Sequence, residues 1–376
     1  MSYKKKILFS WNELPPYGAS LISQVINDQK LDVEVISTAP SIPVVGVEKI
    51  LGKPVHWVDP KKSLKLSDIG LDDPDIFFQA GWYVRPFISV GRSLNKKSIP
   101  IVLLSDNCKK TNLDQTIGSF ILKSINLLRS IIFSEKSIMI LGKQKSFLKF
   151  NAAWVPGKSG ISFMQSIGFK RKNIYDHLYG TNASLFLSKK PLSERPKEFI
   201  FIGRLDDSKG IVELIKGFLK FLELDPESKW SLGIYGDGKL KPFVEESSNR
   251  CKNINFYGFA QKELIAPALE NSRCLVLPSF SDHWPLVVSE AALSGCGLIV
   301  SKVVGNIPEF CTKKNSFILE KVTPDEICSA MIAFSNLNSK QVIDCHNEST
   351  KLGKKFDLSG WRSNFDKILE DFNIDL

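Results

Sequence analysis

The sequence predicts an α/β chain of two Rossmann-like, doubly wound domains facing a cleft. Three observations carry that prediction. The 376 residues exceed one ordinary core and suit two domains of typical size. Short β-rich runs alternate with helical stretches almost throughout, the pattern of parallel sheets joined by right-handed crossovers. The runs are continuously apolar rather than alternating, which implies sheets covered on both faces.

In the first half, strands are predicted at 6–11, 33–37, 75–79, 101–105, 137–141, 152–155 and 174–178. Helical stretches at 17–28, 116–133 and 159–168 separate several of them. In the second half, strands are predicted at 199–202, 231–235, 254–257, 274–277, 298–301 and 317–319. Helices fall near 211–222, 240–248, 262–271 and 286–294. The stretch 188–197 holds two prolines and a run of charges, so it reads as a linker. The predicted domains are therefore 1–187 and 188–357, with a closing amphipathic helix in 358–376 counted with the first.

Hydrophobic residues make up 43% and charged residues 24%, a soluble globular profile rather than a disordered one. No stretch reaches the roughly 18 apolar residues of a spanning helix. The basic opening, 1–6, lacks an apolar h-region and reads as the lead into a first strand, not a signal peptide. Cys108, Cys251, Cys274, Cys296, Cys311, Cys328 and Cys345 form no C-x-x-C pair, which points to reduced thiols and a cytoplasmic location. His56, His177, His283 and His346 are scattered, so no metal site is expected, and Cys345-His346 reads as part of a surface helix.

The net charge of +10 is uneven. Twelve Lys and Arg lie between Cys108 and Lys172, against only Asp114 and Glu135. Such a field attracts phosphate of lipid or nucleic acid, or it is a solvated basic face. Within it, 116–133 is more apolar than a simple surface helix, though Lys123, Asn126 and Arg129 interrupt it. It suits either an interfacial helix on anionic lipid at the inner membrane face or a core helix. No nucleic-acid-binding module accompanies the charge, and nucleic acid is not an expected partner.

The segment 278–301 concentrates chemistry. Asp282 precedes a helix that starts near Pro285, a favoured first-turn residue, and ends at Gly295. Glu290 lies about one and a half turns inside it. The helix start favours an anion through its free N–H groups and dipole. A carboxylate just before it can orient sugar hydroxyls, and one just inside can grip a ribose. The plainer alternative makes Asp282 a helix cap and Glu290 a solvated residue.

Two further loops end predicted strands. Gly203 permits a sharp turn before Arg204 and Lys209, which offer a fork and a point charge to a diphosphate, or are simply solvated cations. Gly236-Asp237-Gly238 ends the next strand in a glycine turn.

This ordered set resembles the retaining GT-B glycosyltransferases of family 4. The family pattern appears here as Gly203-Arg204-Leu205 with Lys209-Gly210, then Gly236-Asp237-Gly238, then Phe256-Tyr257-Gly258-Phe259, then Asp282, Glu290-Ala291 and Gly295. The resemblance covers nearly all of 199–320 and is looser before it. Pro15-Pro16-Tyr17-Gly18 falls where the family has a glycine loop near the donor phosphates, and Asp106 where many members carry a histidine beside the reacting sugar. Gly180-Thr181-Asn182-Ala183-Ser184-Leu185-Phe186 resembles the stretch leading into the second domain. The first carboxylate of the Glu pair is Asp282 here, one methylene shorter, and Pro285 removes one N–H.

The resemblance implies the GT-B fold, with 1–187 as the acceptor-binding domain, 188–357 as the nucleotide-sugar-binding domain, and a closing helix that returns to the first. It further implies transfer of a hexose-type sugar, with retention, from a nucleoside diphosphate sugar to a glycan or lipid-linked glycan in surface polysaccharide assembly. Arg204 and Lys209 would neutralise the departing diphosphate, Asp282 would hold sugar hydroxyls, Glu290 the ribose, and Asp106 would stand in for the histidine. Gly18, Gly203, Gly236, His283, Trp284, Leu286 and Val287 would line the donor. Phe259 would neighbour the base, or is a buried core aromatic. No metal or further cofactor is implied. The alternatives are a non-catalytic scaffold of the same fold, or an inverting transferase or sugar-nucleotide epimerase, for which Asp106 is the candidate base. A nicotinamide dehydrogenase is disfavoured, since no G-x-G-x-x-G follows the first strand.

Overall fold

The computed structural model describes residues 4–40, 46–106 and 149–374. They form two compact units: one through Gly180 plus the C-terminal segment from Leu358, the other Thr181–Asp357. Each is a parallel sheet with helical crossovers, the predicted doubly wound α/β class.

Among the described residues, the first unit has a seven-stranded sheet: β1 (Lys5–Trp11), β2 (Leu31–Thr38), β3 (His56–Val58), β4 (Ile76–Gln79), β5 (Ile101–Leu104), β6 (Ala152–Trp154) and β7 (Ile174–Tyr175). Its order is 3-2-1-4-5-6-7 and every pairing is parallel. The chain reverses direction across the sheet between β1 and β4, where doubly wound sheets place ligands at the carboxyl ends. β3, with only three half-buried or exposed residues at the sheet edge, has no apolar run to announce it.

On one face the rings of Phe9 and Phe78 stack at 4.8 Å, and Phe365 of the closing helix Leu358–Asp371 lies 5.5 Å from Phe78. Trp361 of the same helix stacks on Trp154 at 5.1 Å. Arg362 ties the helix to Asp28 at 2.6 Å. Burial of two large aromatics is what assigns this helix to the first unit. The opposite face holds Leu8, Ile36 and Phe77 against Val84, Phe87, Val90 and Leu94, mostly from the helix Arg85–Lys96.

The second unit, among the described residues, has a six-stranded parallel sheet of order 10-9-8-11-12-13. Its strands are β8 (Glu198–Ile202), β9 (Ser231–Tyr235), β10 (Ile254–Gly258), β11 (Cys274–Leu277), β12 (Gly297–Ser301) and β13 (Ser316–Leu319). β11 and β12 are buried along their whole length, as continuous apolar runs require. Phe199 stacks on Trp230 at 4.3 Å beneath Phe334, from a helix, Pro324–Ser335, that the sequence reading leaves unassigned.

Two expectations are corrected. The stretch 188–197 is not a linker. Arg195 is buried, donating to the carbonyls of Lys190, Leu269, Ser272 and Ser294, so this polar run is stitched into the second unit. The division falls earlier, between Gly180 and Thr181. Cys345 does lie on a surface helix, Ser339–Gly353, but on that helix's buried face. The predicted strand 137–141, the helix 116–133 and most of the basic stretch lie outside the described residues. No helix among the described residues is long and apolar enough to cross a membrane.

Candidate functional site

In the second unit the loops after β8, β9, β11 and β12 meet through close backbone approach. Gly203 N–H donates to Tyr235 O at 3.0 Å, and Leu205 N–H to Asp237 O at 2.9 Å, which zips the β8 and β9 loops together. Gly236 sits at φ +154°, and a Cβ there would lie 1.9 Å from Gly203 O. Gly210, at φ +66°, would place a Cβ 2.1 Å from Pro278 O at the end of β11. Gly236→Ala is therefore expected to separate the two loops and to destabilise the protein by about 2 kcal/mol or more. Chemical denaturation measures it, and wild-type stability would refute the close-approach argument.

Beyond Gly203, Arg204 projects with its side chain 74% exposed, its guanidinium 3.3 Å from Asp206. Asp206 also accepts from Ser208 N–H at 3.0 Å, capping the short turn Asp207–Lys209 that carries Lys209. The sequence reading passed over Asp206, although an Asp two residues before a Ser is an Asx-turn signal.

Lys209 is not a solvated cation. Its ammonium is ion-paired with Asp282, and the two side chains are only 15% and 12% exposed. Asp282 does not cap the following helix: the N-cap position is Pro285, without a side-chain cap. The loop around Asp282 is held from the β12 side, where Gly305 N–H donates to Asp282 O at 3.0 Å and the Asn306 amide to Pro285 O at 2.9 Å. Asn306 is buried and was not foreseen, because its role depends on a loop distant in sequence.

The helix Leu286–Leu293 presents the N–H groups of Leu286 and Val287 in its first turn, where helices leave donors without intrahelical partners. Glu290 is buried, 7% exposed, rather than solvated. Burial pushes its carboxyl above the usual range, and the Lys262 ammonium at 3.5 Å works the other way. Lys262 opens the helix Lys262–Glu270 after β10 and was also missed by sequence.

The structure also places Phe259, Trp284 and His283. Phe259 is no core aromatic: it is 69% exposed in the loop after β10, beside the stacked Tyr235–Tyr257 pair. The Trp284 ring is buried against Phe310 and Phe356, at 6.1 and 6.0 Å, so its side chain is core packing. His283, next to it, is half-buried.

Asp106 and Gly18 belong to the first unit. Gly18 is buried in the first turn of the helix Pro16–Ile26, where a Cβ would come within 3.0 Å of Leu14 and 3.3 Å of Trp11. Its missing side chain thus answers to packing. Asp106 follows β5 and lines a cavity of about 270 Å³ at the carboxyl ends of β1, β4 and β5. Tyr179 Oη donates to it at 3.5 Å.

Residues 185–352 match the family model "Glycosyl transferases group 1". Over 134 residues the chain is 27% identical to an uncharacterized glycosyltransferase of Methanocaldococcus jannaschii, covering 35% of this chain and 34% of that protein. The chain thus spans about a third of the length of the curated relatives it matches. Among solved structures, HepE of Anabaena in complex with UDP and glucose superposes with a TM-score of 0.70 at 14% identity, over 98% of this chain and 100% of that one. Sucrose-phosphate synthase of Thermosynechococcus elongatus gives 0.69 at 12% identity, over 99% and 100%. These likenesses establish the GT-B fold.

Proposed function

We propose that this chain is a retaining glycosyltransferase that moves a hexose-type sugar from a nucleoside diphosphate sugar to a glycan or lipid-linked glycan. The observation that carries the reading is the cluster at the carboxyl ends of β8, β9 and β11. It gathers an exposed guanidinium, an ammonium paired to a carboxylate, a helix N-terminus and a buried carboxylate within a segment that matches a glycosyltransferase family model. A UDP-type donor is supported by the UDP complex of the structurally similar HepE.

In this reading Arg204 and Lys209 face the diphosphate and stabilise the charge that develops as the glycosidic bond breaks. Groups already fixed in place need no reorganisation during the reaction. Asp282, held by Lys209 and the β12 loop, accepts hydrogen bonds from donor-sugar hydroxyls. Glu290 accepts from the ribose hydroxyls, and Phe259 neighbours the base. Positive side chains serve the leaving group, so turnover is proposed to be metal-independent. Retention rests on the resemblance in 278–301, and NMR of the product's anomeric centre tests it directly.

The primary test is thermal stabilisation by a panel of nucleotide sugars, with wild type and Arg204→Ala compared. One donor should raise the melting temperature, and Arg204→Ala should weaken its binding by about ten- to a hundredfold, the range for a hydrogen bond to a charged group. A wild type stabilised by no donor, even with candidate acceptors present, would sink the proposal.

A further inference from the structure

Lys262 stands where local preference disfavours it. It is the first residue of the nine-residue helix Lys262–Glu270. A helix start is the positive end of the dipole and favours acids over cations. The preceding Gln261 supplies no side-chain cap, and the acid of the first turn is Glu263. A residue that breaks a local rule needs a tertiary reason. Here that reason is an ion pair: the Lys262 ammonium lies 3.5 Å from Glu290 Oε1 in the helix Leu286–Leu293. The pair is asymmetric, with the Lys262 side chain 44% exposed and that of Glu290 only 10%.

That asymmetry decides which partner depends on the other. A half-exposed ammonium keeps water as an alternative partner, whereas a buried carboxylate has lost most of its own. The elements packed against Leu286–Leu293 include the helices Lys262–Glu270, Ile307–Phe310 and Ser339–Gly353 with β11 and β12. They carry Glu263, Glu309, Cys274 and His346, yet among the described residues the one charge that acts on Glu290 is that of Lys262. Burial pushes the carboxyl up and Lys262 draws it back. Only residues 259–261 separate β10 from the helix, so exposed Phe259 and Lys262 are carried by one short connection.

We propose that Lys262 is a positioning residue of the nucleotide site: its ammonium holds the Glu290 carboxylate charged and oriented as the acceptor for the two vicinal hydroxyls of a ribose. The inference rests on the transfer reading above and adds to it the group that makes a buried carboxylate usable there. An ionised carboxylate offers two accepting oxygens, while the acid form turns one of them into a donor. Lys262 acts through Glu290 and need not touch the nucleotide itself.

Calorimetric titration of the full chain with UDP-, GDP- and ADP-hexoses across pH tests this. Lys262→Met should weaken the probe that binds by about three- to tenfold on the acid side, between the effects of an exposed and a buried ion pair. The deficit should close on the alkaline side, where Glu290 is ionised in both proteins. Lys262→Arg should keep the wild-type profile, and in a Glu290→Gln background Lys262→Met should change nothing. A deficit of equal size at every pH, or one that persists in the Glu290→Gln background, means a structural role or a direct nucleotide contact and overturns the proposal. The unliganded protein gives a second readout. Stability relative to Glu290→Gln is lost as pH rises up to the folded value of Glu290, and without Lys262 that value is higher. The loss should therefore continue to higher pH in Lys262→Met, measured against Lys262→Met with Glu290→Gln. An unmoved window with donor binding intact rejects this inference alone. A moved window in a protein that binds no nucleotide sugar rejects the transfer reading, and the ribose role with it.

Discussion

Lys209→Ala is expected to lower kcat/KM by about a hundred- to a thousandfold, the effect of deleting one preorganised donor to developing negative charge. The variant should also lose stability. Lys209 and Asp282 are both largely withdrawn from water, so removing the ammonium strands a carboxylate in a poorly solvated place. Breaking such pairs from one side costs about 3 kcal/mol or more. The two losses separate in Lys209→Met with Asp282→Asn, which removes both charges. The double variant should regain most of the melting temperature and none of the activity. Restored turnover would mean that the ion pair holds the fold and does not take part in transfer.

Glu290→Gln is expected to weaken donor binding by about ten- to a hundredfold, since a ribose loses an ionised acceptor. The effect should appear as a raised donor KM with kcat little changed, because the ribose contact is made equally in the ground and transition states. Stability moves the other way. Burial raises the Glu290 carboxyl in the folded protein, so between its unfolded and folded values the native state holds more protons than the unfolded one. Wild-type stability, measured against Glu290→Gln, should therefore fall as pH rises through that window, starting from the ordinary carboxylate range, and then level off. Donor affinity should fall as pH drops through the same raised value, because the protonated acid loses acceptor capacity. Parallel melting curves of the two proteins across that window would refute the assignment.

Arg204, Lys209, Asp282 and Glu290 all belong to Thr181–Asp357, whereas Asp106 and the cavity it lines belong to the other unit. Variants in one can therefore be scored for binding without altering contacts within the other.

Much of this was local enough to be legible in the amino-acid sequence. Strands such as Cys274–Leu277 and Ser231–Tyr235 stand where the apolar runs placed them, since a strand buried on both faces needs only a continuous apolar segment and a turn at each end. The alternation of these runs with helices determined two parallel sheets, and Gly236, read from the sequence as part of a glycine turn, stands where two backbones approach closely. Short elements escaped: His56–Val58 has too few residues for a pattern.

Tertiary structure alone decided which charges are buried and with whom. Lys209 and Asp282 are 73 residues apart in sequence, and only the parallel neighbours β8 and β11 bring them into contact. Arg195 looked like part of a solvated linker because its sequence neighbours are polar, yet the carbonyls it satisfies come from residues 269, 272 and 294. The cavity beside Asp106 likewise gathers described residues from five separate segments of the first unit. Periodicity reports on a residue's own segment. The partner that makes a charge tolerable is supplied by chain crossovers whose contacts no local pattern encodes.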